Sequence, residues 1–194
     1  MKNNKRKKDI YFSCDIEADG PIPGDYSMSS IGLCVAGVYD GENFKKIDVE
    51  QETFYAELRP ISEVFDPEAA AVSGLDRDEL IRSGEDPKVA MERLHDWVRT
   101  VAGSYQAKPV FVAYPLGFDW MFAYWYMNKF ATSPFGFSSC LDVKTMYAAK
   151  YNQPISSSTK RFMPKRLFTN RKHTHNALDD AMGQGELFQN MFRD

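Results

Sequence analysis

Cysteine is scarce in this 194-residue sequence, and Cys14, Cys34 and Cys140 are odd in number, widely spaced and without a Cys-x-x-Cys pair. That argues against a disulfide framework or a cysteine-rich zinc site and suits a reducing cytoplasm. Long hydrophobic runs are missing too. The longest, Trp120 to Met127, is eight residues, against the ~20 that a membrane-spanning helix requires. No signal core follows the basic N-terminus, because Ile10 to Phe12 is soon interrupted by Ser13 and Asp15. Nor is there a surplus of positive charge. The 24 Lys+Arg against 27 Asp+Glu leave a net of -3, unlike the basic domains that coat nucleic acid. Internal repeats, low-complexity blocks and domain linkers are also absent.

What the sequence has is material for a core, being 43% hydrophobic and 14% aromatic, which excludes global disorder. Its charge is unevenly placed. Lys2, Lys5, Arg6, Lys7 and Lys8 put five positive charges at the tip of an acidic body. Residues 1–9 are expected to form a flexible basic tail and residues 10–194 a single domain.

Within that domain, Ile10, Phe12, Cys14 and Ile16 alternate with Tyr11, Ser13, Asp15 and Glu17, which predicts a strand ending in two carboxylates. Asp19 to Asp25 is turn chemistry. Ser30 to Tyr39 reads as a second strand, Asp40-Gly41 as a hairpin turn, and Phe44 to Leu58 as an interrupted third strand. Asp66-Pro67-Glu68 opens a short helix that Gly74 closes. The apolar stripe Ala90, Leu94, Trp97, Val98 and Val101 predicts a helix from Pro87 to near Gly103. Then come a buried strand over Pro109 to Tyr114, an aromatic helix over Phe118 to Phe130 whose aromatics read as core, and a helix over Asp142 to Tyr151. A long loop over 152–172 and a helix from Asn176 to Phe192 complete one α/β domain.

Three segments carry chemistry. Asp15 and Glu17, two apart on a strand, project to one side, and such paired oxygens suit a hard divalent cation. Asp119 opens the aromatic helix, where a carboxylate is ordinarily a cap. In His175-Asn-Ala-Leu-Asp-Asp180, an Asn176 cap leaves His175 on the incoming loop while Asp180 projects from the first turn, so both reach one site. Asp179 supports the cap. His95, by contrast, is expected on the exposed side of a helix with no chemical role.

Together, Asp15-Ile-Glu17, Phe118-Asp119 and His175-Asn-Ala-Leu-Asp-Asp180 resemble the DEDDh exonuclease family, which contains the proofreading subunit of bacterial DNA polymerase, RNase T and oligoribonuclease. Ser30-Ile-Gly-Leu33, Val72-Ser-Gly-Leu75 and Leu141-Asp-Val-Lys144 extend the likeness over nearly the whole chain from residue 10. The resemblance implies a ribonuclease-H-like three-layer α/β domain with a central mixed five-stranded sheet flanked by helices. It implies two Mg²⁺ or Mn²⁺ ions about 3.5–4 Å apart, with Asp15 bridging them, Glu17 and Asp180 on the ion carrying the attacking water, and Asp119 on the other. His175 is then the general base, and nucleoside 5′-monophosphates leave a 3′ end.

The implied partner is RNA or single-stranded nucleic acid with a free 3′ end. RNA is favoured for a free-standing domain, and a homodimer is among the assemblies known in the family. Where the family often has Asn four residues before the second-motif Asp, this chain has Pro115; where it often reads Thr-Thr-Gly after the Glu, this chain has Ala18-Asp19-Gly20. Contacts to the terminal nucleotide, through Ala18 and Phe118, are the part those departures touch. Between Lys160 and Lys172 lie six positive charges with Phe162 and Phe168 interleaved, and Lys165 and Arg166 are the candidates there for holding phosphates. The alternative is a non-catalytic nucleic-acid-binding protein on the same fold, which would be expected to have lost a ligand or the histidine. None is lost.

Overall fold

A computed structural model describes residues 7–172 and 174–192. Residues 1–6 of the expected tail lie outside the described residues. Lys7 and Lys8 are exposed, and the Lys8 carbonyl already accepts the Lys108 N–H at 2.8 Å. The first strand, β1 (Asp9–Ala18), starts there and runs through the middle of a mixed sheet.

On one side of it lies β2 (Met28–Tyr39), antiparallel, whose far edge is covered in two pieces. β3 (Phe44–Lys46) pairs with Gly37–Tyr39, and β4 (Thr53–Glu57) pairs with Ser30–Cys34. Between them the Asp48 carboxylate takes the Glu50 N–H in a turn, which is the interruption the sequence suggests. On the other side β5 (Lys108–Ala113) and then β6 (Cys140–Asp142) run parallel to β1. The sheet therefore has six strands in five positions.

The period-two alternation of β1 sorts its residues onto two faces. Ile10, Phe12, Cys14 and Ile16 enter one core with Leu94 and Val98 of α3 (Pro87–Ser104) and Phe122 and Tyr126 of α4 (Leu116–Phe130). Tyr11 enters the other with Val143 and Tyr147 of α5 (Val143–Lys150) and Leu187 and Phe188 of α6 (Ala177–Met191). Helices on both faces make the three-layer arrangement.

Two short helices precede α3. The first, α1 (Pro67–Val72), has Asp66 as its cap and Pro67 in its first turn, as the sequence suggests. The second, α2 (Arg77–Ser83), has no apolar stripe to announce it. Only Leu80 is buried, and the helix is capped at its start by Asp76, which accepts the Asp78 and Glu79 N–H groups. Helix α4 begins at Leu116, earlier than its aromatic run suggests, because the Leu116 N–H finds the Asp142 carboxylate at 2.7 Å. The other oxygen of Asp142 caps α5 through Thr145. No helix among the described residues is long and apolar enough to cross a membrane.

Candidate active site

The site exists because β1 is longer than its neighbour. Parallel pairing with β5 ends at Ser13–Val112, and the chain then turns through Tyr114-Pro115 into α4. From Asp15 onward β1 has no strand on that edge. Asp119 fills the gap, its Oδ1 accepting the Ile16 N–H at 3.0 Å. Asp119 is therefore no helix cap. It sits inside the first turn of α4, 4% exposed, while Pro115 occupies the cap position without a side-chain bond.

Helix α6 brings the third segment. Asn176 caps it, accepting the N–H groups of Leu178 at 3.0 Å and Asp179 at 3.2 Å. His175 stays on the incoming loop with φ at 57°, in the left-handed region. Asp180 accepts the Thr174 N–H at 3.2 Å and Asp179 accepts the Thr174 hydroxyl at 3.1 Å, so both carboxylates hold the segment that carries His175. Ligand atoms of Glu17, His175 and Asp180 all lie within 4.8 Å of one another. Behind them Asp15 Oδ1 accepts the Gln184 amide at 2.5 Å.

Burial and mutual repulsion dominate the electrostatics. Burial first, then the charges of Asp119, Glu17 and Asp180, push Asp15 well above the usual carboxylate range. Burial, reinforced by Asp180, pushes Glu17 up to about 7. Burial also pushes Asp119 up to about 7, although the Ile16 N–H works against it. Lys160 opposes the rise at Asp15 and Asp119. A hard divalent cation would remove this cost, and an oxygen-rich donor set joined by one imidazole is chemically suited to hold it.

The remaining predicted residues are more scattered. Ala18 is half-buried at the end of β1, and Phe118 is 39% exposed with its ring 5.1 Å from that of Phe122. Lys165 and Arg166 are exposed on a 3₁₀ turn, Lys165–Leu167. The lysine of this loop whose charge acts on the carboxylates is Lys160, 5.5 Å from the Tyr114 ring. A cavity of about 290 Å³ beside Asp180 is lined by Lys160, Phe168, Arg171 and Lys172. Arg171 is committed to Glu50 at 2.8 Å and Glu186 at 3.4 Å, so it tethers the loop. The aromatics of α4 are core on one face only: Phe122 and Tyr126 are buried, while Trp120 and Tyr124 are half-buried and stacked at 4.7 Å. His95 lies 2.8 Å from the Thr132 carbonyl, a structural contact.

Three further residues shape the site through contacts that only the fold shows. Gly32 lets α6 approach, since a Cβ there would lie 2.3 Å from the Leu178 nitrogen. Asp19, 1% exposed, takes the Ser27 N–H and the Arg77 guanidinium, pinning the loop after β1 to α2. Gln184 is an ordinary amide in sequence, and only its spacing of one helical turn from Asp180 points inward.

No family model matches the sequence. The 3′-5′ DNA exonuclease Cap18 of Escherichia coli is 36% identical over 183 residues, covering 94% of this chain and 91% of its own length. The nuclease domain of 3′hExo, a DEDDh family member bound to rAMP, superposes with a TM-score of 0.71 at 14% identity over 98% of this chain and 94% of that one. Pop2p of S. pombe, in a Mg²⁺- and Mn²⁺-bound form, gives a TM-score of 0.59 at 17% identity over 92% of this chain and 81% of that one. At such identities the solved structures speak for the fold, which is that of the ribonuclease-H-like exonuclease domains. With a relative aligned along nearly its whole length and all three acidic motifs in order, the chain belongs to the DEDDh 3′–5′ exonucleases.

Proposed function

We propose that residues 10–194 form one catalytic domain that removes nucleotides from the 3′ end of single-stranded nucleic acid and depends on divalent cations. The observation that carries this reading is the meeting of Glu17, His175 and Asp180 within 4.8 Å, with half-buried Asp15 and buried Asp119 alongside. Asp15, Glu17, Asp119 and Asp180 would hold the Mg²⁺ or Mn²⁺ ions, which would activate a water and stabilise the charge of the attacking and leaving oxygens.

The chain's own groups do the rest. His175 is exposed on a loop, and its imidazole would accept the proton of the attacking water. Phe118, with its exposed ring, offers a face to the terminal base, and Ala18 leaves room beside it. Lys160 faces the phosphate that approaches the carboxylates, and Lys165 and Arg166 meet the backbone farther along. The product is a nucleoside 5′-monophosphate. Free thiols at Cys14, Cys34 and Cys140 fit a cytoplasmic setting.

For the sugar, we place DNA first, because the 36%-identical relative acts on DNA. Domain organisation, on which RNA is expected, carries no information about the 2′-OH. The test is a matched panel of 3′- and 5′-end-labelled single-stranded DNA and RNA oligomers with Mn²⁺, with and without chelator. Immediate mononucleotide release from the 3′ label, a shortening ladder from the 5′ label and silence under chelation are expected, with DNA cut faster. Cleavage from the 5′ end, or activity that survives chelation, would remove the reading.

A further inference from the structure

We infer that Gln184 is a positioning residue that sets the orientation of the Asp15 carboxylate. Gln184 is 2% exposed and lies one turn beyond Asp180 on the same helix. Its carboxamide has a direction imposed from outside. The backbone N–H of Tyr114, at the end of β5, donates to Oε1 at 2.8 Å. The NH₂ end must then face Asp15, where Nε2 donates to Oδ1 at 2.5 Å. A flipped amide would set its N–H groups against the Tyr114 N–H and its oxygen against a carboxylate, two repulsive contacts in a buried setting.

The consequence for Asp15 is geometric. One lone pair of Oδ1 is taken by the amide, which restrains rotation of the carboxylate and leaves Oδ2 and the second lone pair of Oδ1 for a ligand. Gln184 further joins the three elements that meet at the site: β1 through Asp15, the turn from β5 into α4 through Tyr114, and α6 itself. Outer partners of this kind fix a ligand's geometry.

Gln184 has this role only if Asp15 holds a cation, as proposed above. The competing role is purely structural, satisfaction of the Tyr114 N–H, and the two differ in what they do to cation binding. Gln184→Met keeps length and apolar volume while removing both hydrogen bonds. Calorimetric Mn²⁺ titration of the folded variant is expected to show affinity lower by on the order of 10-fold or more, with turnover lowered alongside. Affinity within about twofold of the parent in folded Gln184→Met would overturn the role. A parent that itself binds no Mn²⁺ would overturn the assignment of Asp15 together with it.

Gln184→Glu guards against a variant that does not fold. Its carboxylate still accepts the Tyr114 N–H but offers Asp15 a like charge in place of a donor. With the circular dichroism of the parent retained, turnover at saturating Mn²⁺ is expected to fall by on the order of 10-fold. Parental turnover in that variant would overturn the role as well.

Discussion

At the scale of single residues, His175 is the sharpest case. It is exposed, it adopts a left-handed backbone, and its ring reaches Glu17 and Asp180. Replacement by Ala is expected to lower turnover by on the order of 10²-fold or more, with Mn²⁺ binding, followed by calorimetry, largely kept by the carboxylates. His175→Asn is a useful companion because Asn tolerates φ near 57°, so a matching loss there cannot be ascribed to backbone strain. The five candidate residues can be picked out in the sequence because few residue types bind a hard cation or carry a proton, and their order along the chain is informative. Gln184 cannot, and Lys160 is one of six charges in its loop. Their proximity to the carboxylates comes only with the fold.

At the scale of elements, the site depends on three local geometries: β1 extending past β5, Asp119 bonding the strand edge so exposed, and α6 arriving against β2. The last rests on Gly32, whose missing Cβ admits the backbone of Ala177 and Leu178. Gly32→Ala is expected to cost about 1–3 kcal/mol, as overpacking does, and to lower activity by displacing His175 and Asp180 together. Urea unfolding and turnover on the same preparation check both. Alternation makes β1 readable, and the turn at Asp48 is the physical reason that the third strand is split. Helix α2 is not readable, since a helix with one buried side chain leaves no periodic trace. Asp119 looked like a cap because a carboxylate at a helix start usually is one, and its true partner, the Ile16 N–H, is 103 residues away.

Over the whole molecule, the net charge of -3 is an average over a basic tip and an acidic body, and part of that acidity is gathered at the end of β1. Glu17 and Asp119 are each pushed up to about 7 in the folded protein, above the ordinary carboxylate values of 4.5 and 3.8. The folded state thus holds more protons than the unfolded one between those limits. The stability these groups contribute is present at low pH and is lost as pH rises through about 7. A cation that replaces the protons reverses the trend, because it binds the ionised carboxylates of the native state.

Thermal unfolding with and without Mn²⁺, followed from about pH 5 to about pH 8, therefore tests most directly whether the gathered carboxylates are a divalent-cation site. Mn²⁺ is expected to raise Tm, more at the upper end of that range than at the lower, and the gain is expected to vanish in Asp15→Asn. An unchanged Tm in the parent protein, or an equal gain in Asp15→Asn, would contradict it.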